Sequence, residues 1–158
     1  MKARPKSVIG WREWVGMPLL ETPAVKAKID TGARTSALHA FDIKMIEVNG
    51  VPMVRFKIHP FQRSKGGEVV VEAPLIDRRE VKSSTGHLAI RPVIFTPIEL
   101  MGQRWNIELT LTNRDDMGFR MLLGRQAIRG RFAVDPGRSY LAGRGPVGHR
   151  VVKQKGTG

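Results

Sequence analysis

The residues best suited to chemistry are Asp30, Thr31, Gly32 and Ala33, which end the alternating run Ala24 to Ile29. A carboxylate at the end of a strand, held by the N–H groups of a tight loop, is placed without side-chain slack. Gly32 lets the backbone come close to a substrate or to another loop, and the Thr31 hydroxyl can brace the turn. Two such carboxylates placed together cannot both ionise, so they share one proton. A water between them is then activated, with one carboxylate as base and the other as acid, and the pair titrates as a unit. Asp-Thr-Gly alone also describes an ordinary Asp turn. It needs support from elsewhere in the chain.

That support begins with the elements that must hold the loop. Ile43 to Val48, Asn49-Gly50 and Met53 to Ile58 read as a hairpin with a type I′ turn. Lys65-Gly66-Gly67 is a turn before Glu68 to Ile76. Leu88 to Phe95 and Trp105 to Thr112 are two further strands, with breaks at Thr96-Pro97 and Met101-Gly102. Phe119 to Leu123 is an apolar run closed by Gly124. Arg125 to Arg129 can make one or two helical turns before Gly130 stops them. Phe132 to Val134 is a last strand before Pro136-Gly137. Short strands with this Gly and Pro punctuation predict an all-β chain, a small barrel or sandwich with one short C-terminal helix.

The chain has 158 residues, 41% of them apolar, enough for one domain with a core. Residues 8–142 form the expected domain, between a basic N-terminal extension (1–7) and a basic tail (143–158) rich in glycine. With no cysteine there are no disulfides, thiol nucleophiles or thiolate metal sites. No leader-like apolar segment follows the first residues, and no run approaches the ~20 residues that span a bilayer. A cytoplasmic location is the expectation. The net charge is +13, of which +5 falls on residues 8–137 and the rest on the ends. That excess suits an anionic substrate or partner. Nucleic acid is expected to be touched through the basic tails if at all, because no strand interleaves aromatic and basic residues as a stacking platform does. Trp11, Trp14 and Trp105 are scattered and suit core or interface positions.

About ninety residues after the loop comes Met121-Leu122-Leu123-Gly124-Arg125, an apolar strand ending in Gly-Arg. The two segments together resemble the retropepsins, in which the downstream strand passes behind the aspartate loop and the helix packs beneath it. Ala27 to Ala40, Val54-Arg55-Phe56, Ser83-Ser84-Thr85-Gly86-His87, Leu111 to Asp115, Met121 to Arg131 and Val134-Asp135-Pro136 narrow the match. They are similar to the bacterial family labelled ATP-dependent zinc proteases, which includes RimB. The resemblance covers roughly residues 8–142 and implies a small closed acid-protease barrel. The zinc and ATP of that label do not fit the residues. There is no His-Glu-x-x-His, no close pair among His39, His59, His87 and His149, and no phosphate-binding Gly-x-x-x-x-Gly-Lys-Ser/Thr. No metal and no cofactor are therefore expected.

The resemblance implies an aspartic peptidase with Asp30, Thr31 and Gly32 as its catalytic loop. Only one Asp-Thr-Gly is present, and Pro136 in Asp135-Pro136-Gly137 cannot donate an N–H. A two-carboxylate site then requires a homodimer, with Asp30 of each copy on a two-fold axis. Ala33, Arg34 and Thr35 would line the substrate, and Arg34 stands where viral retropepsins carry an acidic residue. Asp77 to His87 joins two predicted strands at the place of a retropepsin flap, and Arg78, Lys82, Ser83, Ser84 and His87 there can bind carboxylates. Gly124 and Arg125 would brace the loop or the interface. Arg55, Lys57 and His59 alternate on one strand and read as a solvent face. RimB-type genes accompany a ligase that adds glutamates to a ribosomal protein, so the implied substrate is a poly-glutamate tail. The alternative is a non-catalytic retropepsin-fold module that docks on acidic tails or on the ribosome.

Overall fold

The computed structural model describes residues 6–59, 68–82, 85–113 and 118–143. Among these residues, eleven strands and one helix of four residues make up the regular structure, with a 3₁₀ turn at Pro18–Leu20. The strands are β1 (Ser7–Gly10), β2 (Arg12–Met17), β3 (Thr22–Asp30), β4 (Ser36–His39), β5 (Phe41–Val48) and β6 (Val51–Ile58). There follow β7 (Val69–Lys82), β8 (Leu88–Leu100), β9 (Gln103–Thr112), β10 (Met121–Gly124), α1 (Arg125–Ile128) and β11 (Phe132–Asp135).

Six strands close a barrel in the order β2, β3, β10, β4, β9, β8, and the ring is sealed where Gly16 of β2 meets Glu99 of β8. A Cβ on residue 16 would stand 3.0 Å from the Pro23 carbonyl oxygen and 3.3 Å from Glu99 Oε1, so the seam is packed tightly around this glycine. From β8 the sheet continues outward through β7, β6 and β5, while β1 and β11 pair separately in parallel. Alternation fills the barrel. Val25, Ala27 and Ile29 of β3, with Ile107, Leu109 and Leu111 of β9, are buried in one core with Ile94, Ile98, Met121 and Leu123. A small all-β barrel is thus what the chain forms.

The Asn49-Gly50 turn has positive φ at both residues (52° and 79°), the type I′ geometry that its sequence calls for. Met101-Gly102 repeats it (54° and 74°) between β8 and β9. Two expected breaks are corrected. Thr96-Pro97 does not interrupt β8, because Pro97 pairs with Asn106 on one side while the β7–β8 pairing has already stopped at Leu75↔Ile94 on the other. A missing N–H is tolerated at such a half-edge. Likewise Asp77 to Lys82 is strand rather than loop. β7 passes a register shift at Leu75/Asp77 and pairs with β8 as far as Lys82↔Leu88. The Lys65-Gly66-Gly67 turn and most of the two terminal segments lie outside the described residues.

Strand β2 carries a feature that the sequence did not announce. Glu13 is wholly buried, and its carboxylate accepts N–H bonds from Gly10 (2.6 Å), Leu141 (2.9 Å) and Ala142 (3.0 Å). It ties the segment after β11 to the start of the barrel. Trp11 N–H donating to Arg138 O (2.8 Å) and Tyr140 N–H donating to Arg12 O (3.0 Å) support the same seam. Replacing Glu13 by Gln exchanges one acceptor oxygen for a donor that faces N–H groups. Glu13→Gln is expected to cost about 2 kcal/mol of stability, read as a lower denaturation midpoint with unchanged slope.

Candidate active site

Strand β10 runs parallel to β3, with Asp30 beside Gly124, and antiparallel to β4, with Leu122 beside Ala37. It lies between the two strands that the Asp30 loop connects. Residues 31–35 therefore have to wrap around the end of β10. The hydrogen bonds show how tightly they do so. Ala33 N–H donates to Asp30 O (3.1 Å), Arg125 N–H to Ala33 O (2.8 Å) and Gln126 N–H to Arg34 O (3.1 Å). The Arg125 guanidinium reaches Gly32 O at 3.3 Å. Gly124 N–H donates to Ser36 Oγ (3.0 Å), a buried hydroxyl that sequence reasoning passed over. Three consecutive loop carbonyls, those of Gly32, Ala33 and Arg34, are thus held by two successive residues at the start of α1.

Within this frame Asp30 is the last residue of β3 and is half-buried. Its Oδ1 accepts the Gly32 N–H at 3.0 Å, which leaves Oδ2 without a bond inside the loop. A Cβ on Gly32 would lie 3.2 Å from that same Oδ1, so glycine keeps the carboxylate's side uncrowded. The Thr31 side chain is exposed and makes no hydrogen bond among the described residues. It faces a cleft of about 480 Å³ shared with Arg125, Ile128, Arg129, Phe132, Val134 and Pro136. Arg34 is exposed, while Ala33 and Thr35 are half-buried.

The other expected donors sit on the β7–β8 hairpin. Register puts Arg78 opposite Pro92 and Lys82 opposite Leu88, so both share one face with Ile90. His87 precedes β8 and is exposed. Arg78 and Lys82 make no hydrogen bond to the Asp30 loop among the described residues, and Ser83 and Ser84 lie outside those residues. The structure thus joins Asp30 to Ala33 with Gly124 to Gln126 in one network and keeps the hairpin cations separate from it. Of the expected solvent face, Arg55 is exposed and Lys57 half-buried, whereas His59 lies just past β6 with its ring stacked 4.8 Å from that of Phe41. Arg55 pairs with Glu72 at 2.8 Å and Lys57 with Asp42 at 3.0 Å. The hydrogen bond to Asp42, and then its charge, hold the Lys57 ammonium above its usual range.

No helix of the described residues is long and apolar enough to cross a membrane. Two curated relatives are each named "Probable alpha-L-glutamate ligase". The one from Shewanella halifaxensis is 48% identical over 138 residues, and the one from Desulfotalea psychrophila is 46% identical over 131 residues. These matches cover 87% and 83% of this chain but only 30% and 28% of those proteins. The ligase name therefore belongs to much longer polypeptides. A solved Legionella pneumophila protein of unknown function superposes with a TM-score of 0.71 at 31% identity, covering 87% of this chain and 99% of that one. The family model described as "Retropepsin-like aspartic endopeptidase RimB" matches residues 8–145, almost the whole of the described fold. The chain belongs to the RimB-like family of retropepsin-like aspartic endopeptidases.

Proposed function

We propose that this protein hydrolyses peptide bonds in glutamate-rich tails, such as those added to a ribosomal protein, with Asp30 from two copies of the chain as its acid–base pair. The observation that carries the reading is the Asp30 loop. One carboxylate is fixed at a strand end by a closed network of backbone bonds, in a sequence with a single Asp-Thr-Gly. Such a loop supplies half of a two-carboxylate site, and a second copy related by a two-fold axis supplies the other half. The free Thr31 hydroxyl and the apolar cleft beside it are suited to meeting that copy.

In the paired site a water lies between the two carboxylates. The ionised one takes a proton as the water oxygen attacks the scissile carbonyl carbon, and the protonated one gives its proton to the carbonyl oxygen. The gem-diol adduct then collapses: one of its hydroxyls returns a proton to the ionised carboxylate as the C=O bond re-forms, the C–N bond breaks, and the leaving nitrogen takes the proton of the other carboxyl group. The shared proton is thereby restored.

The substrate class is supported by charge and by kinship. Arg34, Arg125 and Arg129 surround the loop, and none pairs with a carboxylate among the described residues. Arg78 and Lys82 add cations on the β7–β8 hairpin. Relatives that contain this domain within longer chains carry the name of a glutamate ligase. A peptidase domain that removes glutamate fits beside an activity that adds it.

The test is cleavage of a poly-α-glutamate peptide against a poly-glutamine peptide of equal length. The acidic peptide is expected to be cut at least about tenfold faster, the worth of one charge-assisted contact. Equal rates would remove the glutamate specificity, and no cleavage of either would leave the non-catalytic docking module as the better reading.

A further inference from the structure

Helix α1 separates two clefts. Arg125 and Ile128, three residues apart on one helical face, line the apolar cleft beside Thr31 together with Arg129, which follows the helix. Gln126 and Ala127, on the other side, line a second cleft of about 320 Å³ together with Thr35, Phe95, Trp105, Asn106, Glu108 and Arg131. We propose that this second cleft binds a glutamate side chain of an extended acidic peptide, at a position beyond the residues that flank the scissile bond. The proposal rests on the reading of the substrate as a glutamate-rich tail.

The central group is Arg131. Its guanidinium carbon lies 4.4 Å from the centre of the Trp105 ring, and Nη1 donates to Gln103 Oε1 at 3.1 Å. Trp105 is itself fixed, since Nε1 donates to Ala127 O at 3.2 Å and the ring packs 5.8 Å from Phe132. The fork of Arg131 is therefore oriented before any ligand arrives, and no carboxylate pairs with it among the described residues. A stacked guanidinium presents its remaining donors in the plane that a carboxylate needs.

The surroundings suit an aliphatic acid. The amides of Asn106 and Gln126 are exposed and make no side-chain bond among the described residues. Phe95 is 51% exposed and offers apolar surface to a two-methylene stem. Glu108, the one acid among the described residues of the cleft, is neutralised by Arg79 at 2.7 Å. The cleft is also continuous with the Asp30 loop. Thr35 lines it, and Gln126 on its wall donates its N–H to Arg34 O. A chain leaving the loop past Thr35 reaches Arg131 only if it is long enough, so this contact discriminates by tail length.

The test measures binding of fluorescent poly-α-glutamate peptides of about three and about ten residues, the longer spanning about 33 Å when extended. Equal-length poly-glutamine and a single-stranded RNA serve as controls. Arg131→Ala is expected to weaken the long acidic peptide about tenfold and to leave the short one unchanged. Arg131→Lys should restore only part of the loss, because an ammonium lacks the planar fork. Should Arg131→Ala fail to fold, Gln126→Ala and Asn106→Ala carry the same comparison, since both side chains are exposed. Equal loss for both peptide lengths, or loss for neither, would overturn the proposal. So would an RNA that outcompetes the long peptide and depends on Arg131. If the wild-type chain binds no acidic peptide, the glutamate reading itself has failed. If it binds both lengths and Arg131→Ala changes nothing, only the second cleft has failed.

Discussion

Asp30→Asn protein is expected to cleave acidic peptide at least about 10³-fold more slowly than the parent, while folding and self-associating as the parent does. The two halves of that expectation rest on different atoms. Asparagine keeps an Oδ1 that can accept the Gly32 N–H seen at 3.0 Å, so the loop and its bonds to Arg125 and Gln126 persist. An amide cannot take a proton from water, so the chemical step is lost. Peptide cleavage rate, thermal unfolding and sedimentation separate these effects. A mixture sharpens the test. If one site needs Asp30 from both copies, equal amounts of parent and variant that exchange freely retain about one quarter of the parental sites. Linear retention of one half would mean that each chain works alone. Full activity in the variant would take the loop out of the chemistry, and unchanged peptide binding beside absent turnover in the parent would favour the docking module.

What the sequence showed and what it hid divide along physical lines. Asn49-Gly50 was legible because a type I′ turn demands positive φ at two adjacent residues, and few pairs supply it. The Asp30 loop and the Met121 to Arg125 strand were legible as a matched pair, and their parallel register, Asp30 beside Gly124, gives that match its physical content. Strand β4 was not legible, because its four residues are specified by β10 and β9 on either side rather than by any pattern of their own. Pro97 suggested a break in β8 because its tolerance depends on where the pairing with β7 stops, which the sequence does not show. Glu13 was invisible for a similar reason. A charged residue between tryptophans reads as surface, and only the fold reveals three N–H groups converging on it. Among the site residues, Ser36 and Arg131 were missed since their partners, Gly124 N–H and the Trp105 ring, are 88 and 26 positions away in the chain.

Gly124 turns the same geometry into a stability prediction. It is buried at the end of β10, where the chain from Ala33 to Ser36 folds around it. Its φ of −84° is open to any residue, so conformational freedom does not explain the glycine. Space does. A Cβ at this position would overlap the Thr35 carbonyl and stand 2.9 Å from Ala33 O. Neither atom can yield cheaply. Ala33 O is held by the Arg125 N–H, and the neighbouring Arg34 O by that of Gln126. Moving the loop outward would therefore break the bonds that place Asp30, and moving β10 would disturb its ladders with both β3 and β4. Gly124→Ala is expected to cost more than about 3 kcal/mol, at the upper end of overpacking penalties, measured by denaturant unfolding. Any fraction that folds should have lost activity out of proportion to its stability, because the strain is relieved most readily by displacing residues 33–35. A variant as stable and as active as the parent would show that β10 does not clamp the loop. Ser36→Ala provides the graded comparison. It removes only the acceptor for the Gly124 N–H and leaves the backbone packing intact, so a loss of about 1–2 kcal/mol is expected. The steeper cost at Gly124 would then belong to the carbonyls of Ala33 and Thr35 rather than to the hydrogen bond.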